Sequence, residues 1–237
     1  MKTDSTTTTT SESDFIKGYN YDLGLGVRAD KAKAEMHYLR AAKGNNLDAQ
    51  YNLAQIYCER GKQSDLKKAV YWWLAVAKKG HAKPQCNLGT AYENGEGVKK
   101  NIRKAKKWYQ AAAKQGDAIA QFNLARLKAR AGLRTQAQAA FKTIIPELKK
   151  LARRRDASNA SARTCLAKCA YHGWGMKMSK QQAVKWYRSA AKKGEINALL
   201  GLGYCYEDGD GVRRDAKKAK HYFAMASRLR NAQEVKV

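Results

Sequence analysis

Ser64-x-x-Lys67 and Ser189-x-x-Lys192 have the spacing at which a lysine one helical turn away can serve a nucleophilic serine in acyl transfer. That chemistry needs companion segments such as Lys-Thr-Gly or Ser-Asp-Asn, and the chain contains neither. Ser64 falls at an expected helix start and Ser189 in a row of small residues, so helical position accounts for both. Cys165, Cys169 and His172 offer three metal ligands without a clear fourth, whereas a closed zinc site takes four. The four histidines, His37, His81, His172 and His221, are scattered, with no His-Glu-x-x-His and no carboxylate pair poised for acid–base work. The expectation is a chain without catalytic residues, metal or cofactor, and without a small-molecule substrate.

The chemistry that remains is that of charge. Lys and Arg number 47 against 20 Asp and Glu, a formal net charge of +27. The excess is concentrated: residues 118–157 carry 10 positive and 2 negative charges, and residues 158–194 carry 8 positive and none negative. The densest runs are Lys99, Lys100, Arg103, Lys104, Lys106 and Lys107, then Lys149, Lys150, Arg153, Arg154 and Arg155. Lysine is a good helix former that keeps a repetitive surface soluble, and this explains part of the excess. Solvation alone mixes both signs, however, and an unbalanced stretch repels itself. These runs are therefore the candidate binding surface for an anionic partner, and Arg154 and Arg155 suit bidentate grip of carboxylate or phosphate.

The elements that must position these residues recur. A central Leu falls at Leu53, Leu88, Leu124, Leu166 and Leu202, spaced by 35, 36, 42 and 36 residues. An Ala falls at Ala34, Ala69, Ala105, Ala183 and Ala219, with aromatic or His residues three and four positions on: His37-Tyr38, Trp72-Trp73, Trp108-Tyr109, Trp186-Tyr187 and Tyr222-Phe223. Positions i, i+3, i+4, i+7 and i+8 share one helical face, so the rings read as core packed beside alanines. Asp30, Asp65, Asn101, Ser179 and Asp215 stand four residues before the Ala, where they would cap a helix. Gly pairs such as Gly95/Gly97 and Gly209/Gly211 suit tight turns of positive φ. No strand precedes Gly-x-Gly, so it is not a nucleotide loop. Self-similarity at this period predicts stacked helix–turn–helix units.

Leu88-Gly89-x-x-Tyr92-x-x-Gly95-x-Gly97-Val98, followed by Asn101, Ala105, Trp108-Tyr109 and Ala112-Ala113, resembles the Sel1-like repeat family, which is related to tetratricopeptide repeats. Leu202-Gly203-x-x-Tyr206-x-x-Gly209-x-Gly211-Val212 repeats the phrase. The resemblance implies an all-α, right-handed α-solenoid of about six helical hairpins, and scaffold or adaptor work in multiprotein assemblies. Two partners then compete. One is an acidic protein docked on the basic surface. The other is RNA or DNA held through backbone phosphates, since no base-reading module is visible. Neither a lipid anchor nor an insertion helix is evident, so a membrane surface is not expected.

The units fall at about 14–47, 48–81, 82–117, 118–157, 158–194 and 195–230, with a tail at 231–237. The fourth departs most: Gly-x-Gly-Val and the cap are missing, the turn shortens to Ala131-Gly132-Leu133, and Pro146 is expected to kink or restart the helix. Residues 1–13, rich in Thr and Ser, are expected to be disordered. They lack an apolar segment typical of a secretion signal. The secreted, cysteine-rich branch of the family joins the two helices of a repeat by a disulfide. Here Cys58, Cys86, Cys165, Cys169 and Cys205 all fall on first helices, so reduced thiols and an intracellular address, cytoplasmic or nuclear, are expected. Asn52, Asn87 and Asn123 precede three of the central leucines. They are candidates for a polar ladder on the concave face or for bonds between repeats.

Overall fold

Short apolar stripes ending at Gly or a polar cap make helices, and the computed structural model contains twelve of them and no strand among the residues it describes, 5–154 and 158–235. The chain divides into two compact units, Met1–Trp108 and Tyr109–Val235. The first holds α1 (Ser5–Leu23), α2 (Lys31–Lys43), α3 (Leu47–Arg60), α4 (Gln63–Lys78), α5 (Ala82–Asn94) and the start of α6 (Ile102–Lys114). The second holds the rest of α6, then α7 (Ala118–Arg130), α8 (Arg134–Arg153), α9 (Ser158–His172), α10 (Lys180–Ala191), α11 (Ile196–Asp208) and α12 (Ala216–Val235). In the first unit α1 packs on α2 and α3 on α4, and α4 also meets α5. In the second, α7–α8, α9–α10 and α11–α12 are packed pairs, joined through α8–α9 and α10–α11. This is an all-α repeat solenoid.

The ring four residues after the anchor Ala, or after Ala137 in α8, carries the core in five hairpins, while Phe223 in the last is only half-buried. Tyr38, Trp73, Tyr109, Phe141 and Tyr187 are all buried. The ring at the third position (Trp72, Trp108, Trp186) is half-buried. Leu53, Leu88, Leu166 and Leu202 are fully buried. Leu124 is only half-buried, the first sign that the fourth hairpin packs differently.

Four of the turns share one closure. The cap residue donates its backbone N–H to the first helix: Asp30 to Tyr21 O, Asn101 to Tyr92 O, Ser179 to Ala170 O and Asp215 to Tyr206 O, at 2.7–2.9 Å. Asp30, Asn101, Ser179 and Asp215 also accept from the next helix's first N–H groups, as caps do. Asp65 does not. The short Gly61 turn starts α4 early, Lys62 occupies the cap position, and Asp65 lies buried within the helix, 3.2 Å from Lys68.

A second ladder stitches successive hairpins. Gln50, Gln85 and Gln121 donate their side-chain amides to Ala42 O, Ala77 O and Ala113 O at 3.1–3.3 Å, and Arg163 donates to Ala152 O at 3.0 Å. Ala42 O, Ala77 O and Ala113 O also accept the backbone N–H of Asn45, Gly80 and Gly116, so the side-chain amide uses the carbonyl's second lone pair.

Three boundaries differ from the sequence expectation. The supposed disordered segment 1–13 is helical from Ser5. Ser11 is buried and donates to Ala41 O at 3.1 Å, while Glu12 accepts from Asn46 and Asp14 pairs with His37 at 2.8 Å. These contacts give a polar segment enough partners to hold it. The tail expected at 231–237 is helical through Val235. Pro146 lies inside one helix rather than restarting it. The carbonyl deprived of its donor belongs to Lys142, and both residues are exposed, so water can satisfy it.

Candidate functional site

The glycine-rich turns set where adjoining hairpins touch. A Cβ on Gly97 would lie 2.3 Å from Leu66 O, and one on Gly211 would lie 2.3 Å from Lys180 C. Leu66 and Lys180 each stand three residues before their anchor Ala. The α9–α10 turn breaks this rule. Gly175 sits against Phe141 and Lys142, where a Cβ would be 2.5 Å from Lys142 N. Counted from Ala137, the first residue of the α8 packing face (Ala137, Ala140, Phe141, Ile144 and Ile145), Phe141 stands four residues on. The contact has moved seven residues, two helical turns or about 10 Å along the axis.

Residue chemistry goes with this shift. In two of the other Gly-x-Gly turns the residue between the glycines is an acid, Glu96 or Asp210, and in the α1–α2 turn it is Leu25. Asp210 accepts from Lys180 and Tyr171, which hold its carboxyl below the ordinary range, Lys180 contributing most. The α9–α10 turn has Trp174 instead, stacked on Phe141 at 4.8 Å and on His172 at 4.5 Å. Gln138 fastens the turn, donating to Gly173 O at 2.9 Å and accepting from Gly175 N at 2.6 Å.

Because the turn lies farther along α8, the beginning of that helix is uncovered: residues 131–136 are all exposed. A cleft of about 670 Å³ results. From α7 it is lined by Arg126, Ala129 and Arg130, and from α8 by Arg134, Ala137, Gln138 and Phe141. Lys168 and His172 of α9, Trp174 and Tyr187 complete it. Four of the lining residues are cations and none is a carboxylate. The chain has no acid at all in 118–146 or 157–194. Burial, then the neighbouring Lys168, lowers the His172 pKa, so its imidazole stays neutral at neutral pH.

The basic runs singled out in the sequence lie elsewhere. Lys99, Lys100, Arg103, Lys104 and Lys107 are exposed around the α6 start in the first unit, with Lys104 5.3 Å over the Tyr92 ring. Lys149, Lys150, Arg153 and Arg154 are exposed at the end of α8 in the second, with Lys150 3.6 Å from Glu147. Arg155 lies outside the described residues. One run belongs to the first unit and the other to the second, and neither includes a cleft residue.

Each of the three asparagines has a side-chain partner. Asn52 donates to Tyr38 Oη at 3.2 Å and Asn87 to Gln55 Oε1 at 3.1 Å, both bridging hairpins. Asn123 accepts from Arg126 at 3.3 Å within its own helix. Asn52 and Asn87 thus make bonds between repeats, while the bond of Asn123 stays within α7. Cys165 and Cys169 are buried, with thiols pushed up to about 12 by burial, while His172 stacks at the surface. Ser64 and Lys67 are exposed on α4, as expected of helix-surface residues. The cleft itself was not read from the sequence. Its only signals were Trp in place of an acid at 174 and the missing turn glycines of the fourth hairpin.

The Sel1 repeat pattern matches residues 18–46, 47–81, 85–117, 160–195 and 196–231. Those matches leave out the α7–α8 hairpin, which supplies most of the cleft. Among solved structures, a Sel1 repeat protein from Oxalobacter formigenes is similar over 94% of this chain and 88% of its own, at 26% identity and a TM-score of 0.59. Protein c5321 of uropathogenic Escherichia coli, a protective antigen with an SLR fold, is 30% identical with a TM-score of 0.55. The similarity covers 96% of this chain and 50% of that one. A Sel1 repeat protein from Klebsiella pneumoniae, at 18% identity, shares the fold with a TM-score of 0.56 over 84% of this chain and 95% of its own.

Proposed function

The chain belongs to the Sel1 repeat family, whose members generally mediate protein–protein interaction, and on that premise we propose that it is a non-catalytic scaffold that docks an acidic protein partner. One observation carries this reading: the cations stay at the surface. Arg103, Lys104, Lys107, Lys149, Lys150, Arg153 and Arg154 are all exposed, in a chain whose formal net charge is +27. A carboxylate-rich partner relieves the self-repulsion that such a surface builds up. The free thiols of Cys58, Cys165, Cys169 and Cys205 support work in a reducing, intracellular compartment.

Purification from the native source at low salt, with and without nuclease, tests it. The expected result is an acidic protein that stays bound after nuclease treatment and is released by salt. A variant combining Arg153→Glu and Arg154→Glu should capture less of it. Loss of all bound material on nuclease treatment would replace the protein partner with nucleic acid held through phosphates.

A further inference from the structure

Resting on the reading that the partner is an acidic protein, we propose that the α7–α8–α9 cleft is a discrete receptor for a short extended segment of that partner with carboxylates on alternate residues. Arg126 and Arg130 stand one turn apart on α7, a rise of about 6 Å. Alternate residues of an extended peptide repeat at nearly the same interval, about 6.6 Å, on one face. Each rung can therefore meet an arginine, whose planar fork takes a carboxylate bidentately. Arg134 on α8 and Lys168 on α9 extend the positive lining to the other walls. Ala129 and Trp174, both half-buried, supply apolar surface for the methylene stems of the acidic side chains. At about 670 Å³ the cleft has the size of a site for a few residues, not for a folded domain.

Two features favour peptide over single-stranded nucleic acid. A base-binding platform needs an aromatic face on offer. Trp174 is already in parallel stacks with Phe141 and His172. The family to which the chain belongs also works through proteins. The receptor is a property of this chain rather than of the repeat, because the two-turn shift of Gly175 along α8 creates it.

The test is titration of the full chain with a capped Glu-Leu-Glu-Leu-Glu peptide, its Gln counterpart, polyglutamate and an oligouridylate. The Glu peptide should bind, and the Gln peptide should bind at least about tenfold more weakly, since bonds to charged groups are the strong ones. Arg130→Ala and Arg134→Ala should each weaken the Glu peptide about tenfold. Both side chains are exposed, so hydrogen exchange should show an unchanged fold. The Arg153→Glu, Arg154→Glu protein should lose less affinity for the short peptide than either cleft variant does. If the cleft variants bind normally and the α8-end variant does not, the cleft is not the receptor, although an acidic partner survives. A wild type that binds polyglutamate but not the short peptide refutes the receptor in the same way. A wild type that ignores both and binds oligouridylate overturns the acidic-protein reading itself.

Discussion

Replacing Phe141 with alanine is expected to cost the second unit about 3–5 kcal/mol, the range for truncating a buried phenylalanine. Phe141 is fully buried, stacks on Trp174 at 4.8 Å and lies 5.5 Å from Phe122 at a tilt. It is also the platform on which the shifted α9–α10 turn rests. Its loss leaves a cavity under the turn as well as unburied apolar surface. Phe141→Leu keeps most of the volume and gives up the ring stack, for about 1–1.5 kcal/mol. Urea unfolding followed by far-UV circular dichroism, with hydrogen exchange along α8 and α9, measures both. Equal, small losses for the two variants would show that the ring does not hold the turn.

Gly97→Ala is expected to destabilise the first unit by about 2–4 kcal/mol, and Gly26→Ala by only about 1–2 kcal/mol. The two glycines occupy equivalent places in their turns and have nearly the same backbone, φ 67° and 69°. An alanine therefore bears the same left-handed strain at both. The surroundings differ. A Cβ at Gly26 meets nothing within 4 Å, whereas at Gly97 it would come within 2.3 Å of Leu66 O, backbone that cannot rotate away. The difference between the two variants isolates the contact between adjoining hairpins. Identical losses in denaturant titration would mean that only the turn conformation requires glycine.

This pair also shows what was legible in the sequence. The Gly-x-Gly spacing, the anchor alanines and the following rings are local signals with a fixed period, and they placed the helical hairpins. Capping by Asp30, Asn101, Ser179 and Asp215 was readable for the same reason. Asp65 was misread because a shorter turn moved the helix start while leaving the residue spacing intact. The N-terminal helix was missed because its support comes from Ala41 and Asn46, some thirty residues away. The cleft was illegible for a stronger version of that reason. It arises from a two-turn slide between a turn and a helix in different hairpins, and charge counts do not record such a slide. The sequence showed an acid-free stretch; packing decided that part of it would line a concavity.

The account's central claim is that exposed cations dock an acidic partner. Its most direct test is binding of polyglutamate as salt is raised, for the wild type and for a protein carrying Lys100→Glu, Arg103→Glu, Arg130→Glu, Arg134→Glu, Arg153→Glu and Arg154→Glu. Affinity should fall steadily with salt in the wild type and be lost in the reversed protein, which should still unfold at a similar urea concentration. Binding that ignores salt, or a reversed and folded protein that binds as tightly as the wild type, would contradict it.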